Sequence, residues 1–155
     1  MNYKRLTISL LLPQLAGLFG VIFTSTAIPT WYATLEKPIF SPPNWIFGPM
    51  WTLLYVLMGV SVYLIWQQCG KKKGVENRLY LFWTHLVFNA FWSVIFFGLK
   101  NIALALVCIL IIWGMIAWMM ASFWKIDKRA SLLLIPYFLW VSFASALNVS
   151  ILVLN

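Results

Sequence analysis

Residues 101–124 read NIALALVCILIIWGMIAWMMASFW, and this stretch decides the class of fold. It contains no Asp, Glu, Lys, Arg or His over its whole length. An α-helix rises about 1.5 Å per residue, so a helix of this length covers the roughly 30 Å of hydrocarbon in a bilayer. Helices on the surface of soluble proteins normally carry a charged face, which this stretch lacks. It therefore predicts a transmembrane helix.

Four more stretches are also long, apolar and free of Asp, Glu, Lys and Arg. The whole chain is 63% hydrophobic and only 9% charged. A soluble domain of this size could not bury so much apolar surface. The first stretch is longer than the apolar core of a usual signal peptide, so we expect it to be a retained span. The sequence thus predicts an all-α membrane protein, a five-transmembrane-helix bundle, in a single domain over residues 1–155. The further spans are expected at 6–27, 45–67, 79–99 and 130–153.

The basic residues are divided unequally between the two ends of such a bundle. With five spans, the N-terminus shares one end with the gaps at 68–78 and 125–129. Nine of the eleven Lys and Arg residues fall at that end, and only Lys37 and Lys100 fall at the other. Because basic loops are retained in the cytoplasm, the distribution predicts a cytoplasmic N-terminus and an outward-facing loop 28–44.

Several classes of function are disfavoured by what the spans contain. They hold no Asp or Glu, which disfavours proton-coupled transport. Cys69 and Cys108 form no CxxC motif, so we interpret them as structural. His85 has no second ligand at a recognisable spacing and no nucleophile has a base partner, so neither a metal site nor a conventional catalytic site is predicted. The basic residues lie in short gaps rather than a patch, and no nucleic-acid partner is expected.

Three spans carry polar and aromatic residues at helical spacing. A polar side chain that faces lipid is costly, so Asn89 and Asn148 should point into the bundle together with the residues that share their face. Such faces are typical either of interhelical packing or of a cavity for a large planar ligand, and the residues alone leave both open. The stripes are His85, Asn89, Trp92 and Phe96; Tyr137, Trp140, Ala144 and Asn148; and Trp51, Tyr55, Met58 and Val62.

Residues 28–44 read IPTWYATLEKPIFSPPN and contain four prolines, so they cannot form one continuous helix. Proline lowers the conformational entropy of a non-helical chain, which favours an ordered loop. Its aromatic residues include Trp31, Tyr32 and Phe40. The composition is typical either of a lid over the bundle or of an anchor in the membrane interface.

Several short runs have fixed spacings that go beyond this general pattern. They resemble the signature of the TspO/translocator protein family, also called tryptophan-rich sensory proteins or peripheral benzodiazepine receptors. The resemblance covers nearly the whole chain, and spacings in three regions agree at once. The runs are WYATLEKP at 31–38, PPNW at 42–45, GPMWTLLY at 48–55, NAFWSVIFFG at 89–98, PYFLW at 136–140 and LN at 147–148.

The resemblance implies a five-helix bundle that is commonly a homodimer. It implies porphyrin ligands such as protoporphyrin IX, with cholesterol and synthetic isoquinoline or benzodiazepine compounds in animal members. The tail at 146–155 lacks the Tyr and basic residue of the animal cholesterol motif. The chain is therefore similar to a bacterial-type member, and we expect a multi-pass protein of a bacterial plasma membrane.

The resemblance also implies a pocket between the helices beneath the first loop. An excited porphyrin held against Trp51 and Trp140 could exchange electrons with an indole, so these two are candidate catalytic residues for light-dependent porphyrin degradation. No cofactor is expected to be required, and protoporphyrin IX would be the ligand or substrate. Together with the inward stripes, the predicted ligand-binding set is Tyr32, Pro42, Trp51, Tyr55, Asn89, Trp92, Phe96, Tyr137, Trp140, Ala144 and Leu147.

Two other functions compete with porphyrin binding. One is passive transport of porphyrins or other small lipophilic molecules. The other is a membrane scaffold that acts through a homodimer, with small residues at four-residue spacing allowing close helix contact. The pairs that suggest such contact are Ala16 with Gly20 and Ser142 with Ala146.

Overall fold

The helices of the chain agree closely with the predicted spans. A computed structural model describes residues 2–155, and Met1 lies outside the described part. Within that part, five helices are long and apolar enough to cross a membrane, which confirms the predicted bundle. They extend over Tyr3–Ala27, Asn44–Trp66, Val75–Gly98, Ile102–Trp124 and Lys128–Leu154.

Three of the five spans are irregular at one point. The second span opens with a 3₁₀ turn at Asn44–Ile46, and the third ends in a π-helical turn at Val94–Gly98. The fifth is divided into two consecutive helices. The α-helices are α1 (Tyr3–Ala27), α2 (Trp31–Thr34), α3 (Phe47–Trp66), α4 (Val75–Ser93), α5 (Ile102–Trp124), α6 (Lys128–Leu132) and α7 (Ile135–Leu154).

Polar caps set the boundaries between the last three spans. Asn101 Oδ1 accepts the Leu104 N–H at 2.9 Å and begins α5. Asp127 Oδ1 accepts the Arg129 N–H at 2.9 Å and begins α6. These side chains satisfy N–H groups that a helix leaves unpaired at its start. Between α4 and α5 the chain reverses at Lys100, which has a left-handed φ of 53°.

The bundle has two chemically different ends. The loop end carries residues 28–43, residues 99–101 and Asn155. The basic end carries residues 2–5, 67–74 and 125–127. Helices α3 and α5 run from the loop end to the basic end, and α1, α4 and α7 run the other way.

Three cations at the basic end donate hydrogen bonds to backbone carbonyls near helix C-termini. A helix leaves its last carbonyls unpaired and carries partial negative charge at its C-terminus, so these bonds stabilise α3 and α5. The cations thus connect neighbouring helices and loops at the basic end. The cytoplasmic position of this end, which the distribution of basic residues predicts, stays a prediction. The bonds join Arg5 Nη1 to Trp66 O at 2.8 Å, Lys72 Nζ to Ile126 O at 2.6 Å and Arg78 Nε to Ser122 O at 2.9 Å.

Helix α1 changes partner along its length. Near the basic end it packs on α3, where a Cβ added at Gly59 would lie 2.6 Å from Ser9 O. Pro13 has no N–H to donate to Ser9 O, so this carbonyl is free to face Gly59. Nearer the loop end α1 packs on α4, where a Cβ at Gly20 would lie 2.9 Å from Ser93 Oγ. The space that α1 leaves beside α3 in the loop half belongs to a cavity.

The basic half of the bundle is filled by side chains. Met58 and Val62 of α3, Phe82 of α4, and Ile116 and Met119 of α5 are all fully buried. Interiors of this kind are packed as closely as organic crystals. The two halves therefore differ, with a solid core toward the basic end and a hollow toward the loop end.

The 28–43 loop is tied to the end of α7. The Glu36 N–H donates to Asn155 Oδ1 at 3.0 Å, and Asn155 Nδ2 donates to Glu36 O at 3.1 Å. We call this pair of bonds the Glu36–Asn155 clamp. The loop forms no continuous helix, as its prolines predict, but one helical turn, α2, fits between Pro29 and Pro38.

Candidate ligand-binding site

A cavity of about 460 Å³ lies in the loop half of the bundle. Its walls come from α1, α3, α4, α5 and α7, and its lining is mostly apolar. The volume falls in the range of about 300–1,000 Å³ that small-molecule sites occupy. Leu18 and Val21 of α1 line the cavity and are also exposed on the outside of the bundle. The space therefore reaches the lipid-facing surface beside α1.

Three tryptophans from three different helices line this cavity. Trp51 comes from α3, Trp92 from α4 and Trp140 from α7. Trp92 stacks on Phe96 with ring centroids 5.0 Å apart, and Trp140 meets Phe47 edge-on at 5.9 Å. Flat aromatic walls of this kind suit a flat, largely apolar ligand.

Tyr32 of α2 covers the cavity from the loop end. Its side chain is only 5% exposed, and its ring packs 5.7 Å from the ring of Phe97. The Lys37 ammonium lies 4.8 Å from the centroid of the Tyr32 ring and donates to Leu35 O at 2.8 Å. Burial raises the pKa of the Tyr32 phenol, and a hydrogen bond with Ser41 partly opposes this. The loop thus lies over the cavity as a lid, with a neutral phenol on its inner side.

A chain of hydrogen bonds closes the opposite side of the cavity. The Tyr55 hydroxyl donates to Asn89 Oδ1 at 2.8 Å, and Asn89 Nδ2 donates to the Tyr137 hydroxyl at 2.8 Å. The Tyr137 hydroxyl is also 2.8 Å from His85 Nε2. These four side chains come from α3, α4 and α7, and all are buried. The network joins three helices and pairs these amide and phenol groups where lipid offers no partner, while His85 Nδ1 has no partner among residues 2–155.

Three buried polar atoms of the cavity lining have no partner among the described residues. They are Trp92 Nε1, Trp140 Nε1 and Asn148 Oδ1. A buried group without a hydrogen bond costs about 1–3 kcal/mol, so such groups are uncommon in native proteins. A ligand that accepts from the two indoles and donates to the amide would remove this cost.

Nine of the eleven predicted ligand-binding residues line the cavity, and Pro42 and Tyr137 do not. Pro42 is half-buried within the loop. Tyr137 faces inward as its spacing predicts, but it lies nearly one turn closer to the basic end than Trp140, where the bundle is filled. Its hydroxyl is used in the network instead. The nine are Tyr32, Trp51, Tyr55, Asn89, Trp92, Phe96, Trp140, Ala144 and Leu147.

Helix α1 forms a wall that the stripes did not predict. It has no stripe of polar and aromatic residues like those of the other spans. The feature of its sequence that could have indicated close packing is the pair Gly17 and Gly20. A Cβ at Gly17 would collide with the Tyr55 ring, so glycine there gives the ring its place. Gly20 belongs to one of the small-residue pairs that suggest contact between subunits, but it packs on Ser93 within the chain. The α1 residues of the lining are Gln14, Gly17, Leu18, Gly20, Val21, Thr24 and Ser25.

The described residues include no group of three or more His, Cys, Asp or Glu side chains that could hold a metal ion. Both cysteines are free thiols. Cys69 lies at the basic end and donates to Glu76 Oε1 at 3.2 Å, while Cys108 is buried in α5.

A family model described as the TspO/MBR family matches residues 9–154, nearly the whole chain. The chain belongs to the TspO/MBR family. It is 42% identical to the tryptophan-rich protein TspO of Archaeoglobus fulgidus, over 100% of this chain and 99% of the relative. It is 41% identical to the protein of the same name from Chlorobaculum tepidum, with the same coverage. The translocator protein of Bos taurus is 38% identical over 89% of this chain and 82% of its own length.

Membership in the TspO/MBR family confirms the resemblance seen in the sequence motifs. Together with five apolar helices, it makes the chain a multi-pass integral membrane protein. Its bacterial and archaeal relatives fit a location in a plasma membrane. The motif runs also coincide with the site. Residues 31–38 include α2 of the lid, and 48–55 contribute Trp51 and Tyr55. Residues 89–98 contribute the wall formed by the end of α4 and the π-helical turn that follows it.

Proposed function

We propose that this TspO/MBR protein binds a tetrapyrrole such as protoporphyrin IX in the cavity beneath the lid. The observation that carries the proposal is the combination of three indole-bearing walls with two buried indole N–H groups that lack a partner among residues 2–155. Isoquinoline and benzodiazepine compounds share the flat aromatic character and would compete for the same walls.

The polar groups suit the chemistry of this ligand. Protoporphyrin IX is a flat macrocycle with two carboxylates, and carboxylate oxygens accept hydrogen bonds from N–H donors. The Nε1 atoms of Trp92 and Trp140 are such donors. Lys37 lies at the loop end, next to Tyr32, and offers a positive charge in the lid that covers the cavity.

A light-dependent reaction is the chemistry that these residues could support. Trp51 and Trp140 are oxidisable rings on the cavity wall, and Trp51 packs 5.5 Å from Tyr55 between ring centroids. An excited tetrapyrrole in contact with either indole could take an electron from it. The transfer leaves a pigment radical anion and an indole radical cation. Degradation would also need dioxygen as a co-substrate, which takes the electron from the reduced pigment and attacks the macrocycle, and it would need no conventional acid or base.

Passive transport is the alternative function, and the filled basic half of the bundle disfavours it. A molecule that crossed would have to pass the Tyr55–Asn89–Tyr137 network and then the core around Met58 and Phe82, all of them buried. Opening that path would break hydrogen bonds and packing together. Flux of protoporphyrin IX through sealed vesicles that contain the protein would support transport instead.

The family resemblance also implies a homodimer, which we retain as part of the proposal. Gly20 packs within the chain, and Ser142 accepts a hydrogen bond from Trp113 Nε1 at 2.8 Å. Both suggested small-residue pairs thus already have a partner inside one chain. A dimer would use another part of the lipid-facing surface.

The proposal is tested by titrating the purified protein with protoporphyrin IX. Binding is followed by the shift of the porphyrin absorbance band, and a parallel time course in light and in darkness separates binding from degradation. Trp140→Phe keeps the ring but removes one N–H donor. We expect it to weaken binding about tenfold, since one hydrogen bond contributes about 1.4 kcal/mol.

Trp118→Phe is the matched control, because Trp118 lies on α5 and is 65% exposed to the surroundings of the bundle. It should leave the affinity unchanged. The proposal fails if no saturable binding occurs, or if both variants weaken binding equally. Loss of pigment at the same rate in darkness would exclude the light-dependent step.

A further inference from the structure

The hydroxyl of Tyr137 is held between two partners in the middle of the bundle. Asn89 Nδ2 lies 2.8 Å from it on one side, and His85 Nε2 lies 2.8 Å from it on the other. Tyr137 and His85 are both fully buried. Neither lines the cavity, so the binding proposal gives them no role.

The direction of the Tyr137–His85 bond follows from the other bonds in the network. The Tyr55 hydroxyl donates to Asn89 Oδ1, which leaves the Asn89 amide nitrogen as the donor toward Tyr137. In the described part of the chain, the proton of the Tyr137 hydroxyl then has one acceptor within reach, His85 Nε2. A phenol O–H therefore points at the unprotonated nitrogen of an imidazole, which is a base.

Tyr137 is also in contact with the ring that faces the ligand. The centroids of Trp51 and Tyr137 are 6.2 Å apart, with the rings edge to face. Trp51 lines the cavity and Tyr137 lies directly behind it. An electron can pass between rings in such contact without a further carrier. The order from the cavity inward is thus Trp51, Tyr137, His85.

We propose that the Tyr137–His85 pair is a redox site that restores Trp51 after Trp51 has been oxidised. The step rests on the proposed light-dependent function, in which Trp51 loses one electron to the excited tetrapyrrole and becomes a radical cation. Tyr137 then gives one electron to Trp51 while its hydroxyl proton moves to His85 Nε2. Trp51 is again a neutral indole, Tyr137 is a neutral tyrosyl radical, and His85 carries the positive charge.

Tyr55 provides an internal contrast, because it is even closer to Trp51, at 5.5 Å between centroids. Its hydroxyl donates to the amide oxygen of Asn89. An amide oxygen is a hydrogen-bond acceptor but a very weak base, so it cannot take the phenol proton. Oxidation of Tyr55 would leave a phenol radical cation with no base to take its proton, which makes Tyr55 much harder to oxidise than Tyr137. The radical should therefore form on Tyr137 and not on Tyr55.

The test is detection of a tyrosyl radical by electron paramagnetic resonance after a flash, in protein with ring-deuterated tyrosine. One arm uses visible light with protoporphyrin IX bound. The second arm uses an ultraviolet flash on ligand-free protein, which photoionises tryptophan directly and does not depend on ligand binding. The variants are Tyr137→Phe, His85→Gln, Trp51→Phe and Tyr55→Phe.

We expect the tyrosyl signal to be lost in Tyr137→Phe and Trp51→Phe. Tyr55 lines the cavity, so Tyr55→Phe is compared only in the ultraviolet arm, where no ligand is bound, and there the signal should be kept. His85→Gln keeps an acceptor for the Tyr137 hydroxyl but removes the base, so it too should lose the signal. Tyr55→Phe removes a bond from the same network and controls for disturbance of the fold. If the network had only a structural role, Tyr137→Phe, His85→Gln and Tyr55→Phe would all lower the stability of the protein. No tyrosyl radical would then form in the unsubstituted protein.

The two arms separate failure of this inference from failure of the proposed function. A Tyr137-dependent signal in the ultraviolet arm alone would support the redox pair and count against tetrapyrrole photochemistry. The inference is overturned if the signal survives in Tyr137→Phe, if it is lost equally in Tyr55→Phe in the ultraviolet arm, or if neither arm yields a tyrosyl radical in the unsubstituted protein.

Discussion

Asn89 shows how much one polar residue in a span can determine. Both ends of its amide are used, with Oδ1 accepting from Tyr55 and Nδ2 donating to Tyr137. It also lines the cavity, so it connects the ligand site to the interior of the bundle. Lipid offers no alternative partner for an amide or a phenol, and this fixes the three side chains relative to one another.

Replacement of Asn89 by leucine should destabilise the protein. The change leaves the hydroxyls of Tyr55 and Tyr137 buried without one of their partners, and we expect a loss of about 1–3 kcal/mol. Thermal unfolding in detergent, followed by circular dichroism, measures it. Ser150→Ala is the control, since Ser150 makes only a local bond to Ala146 O within α7. Equal unfolding temperatures for the two variants would contradict the structural importance of the network.

At the scale of single residues, the sequence predicted those that follow a clear physical rule. Asn89 had to avoid lipid, so the face that it shares with Trp92 and Phe96 could be oriented without a structure. Depth along the helix was harder to predict. The rule that polar side chains avoid lipid also placed Tyr137 on the inward face of its helix. Only the packing of the side chains shows that the bundle is filled at the depth of Tyr137. Pro42 was carried over from a motif, and no rule connected it to the cavity.

At the scale of elements, α1 is the least predictable part of the site. Its contribution depends on glycines that allow close approach and on its divergence from α3, and neither produces a periodic signal. The bounds of the spans, in contrast, follow from charges and prolines in the gaps, and they agree closely with the predicted ranges. The lid is intermediate. Its order could be predicted from proline, but its attachment to α7 could not.

The Glu36–Asn155 clamp should control the mobility of this lid. Asn155→Ala removes both bonds, so the Glu36 amide should exchange its hydrogen with solvent faster. Hydrogen exchange measured by mass spectrometry on the peptide around residue 36 detects this change. Ligand association and dissociation should both become faster, because the lid opens more often.

Ser150→Ala again serves as the control, because Ser150 lies on the same helix as Asn155 and its hydroxyl donates to Ala146 O within that helix. Unchanged exchange at Glu36 in Asn155→Ala would show that other contacts hold the lid. The packing of Tyr32 on Phe97 would then be the contact that holds the lid in place.

At the scale of the whole molecule, the division of charge predicts how the bundle lies in the membrane. Nine basic residues belong to the basic end or its first helical turns, and two lie toward the loop end. The fold agrees with this division, since the five spans bring the nine together. Direction across the membrane is set during insertion and leaves no trace in packing, so it needs a separate measurement.

Cysteine labelling in intact cells provides that measurement. In protein with Cys69→Ser and Cys108→Ser, Ile39→Cys places a thiol at a fully exposed position of the lid. Lys71→Cys places one at the exposed basic end. A membrane-impermeant maleimide should label the first in intact cells and the second only after permeabilisation. The reverse pattern would place the lid and the cavity mouth on the cytoplasmic side.

The position of Asn155 also affects how the protein can be handled. Any peptide that continues from this residue leaves the bundle directly beside Glu36. A purification tag or fluorescent protein attached there would pull on the lid and alter ligand exchange rates, even where the fold is intact. Attachment at the other terminus places the same cargo at the opposite face of the membrane, a bundle length away from the cavity mouth. Kinetic measurements on the two arrangements should therefore be compared before either is interpreted.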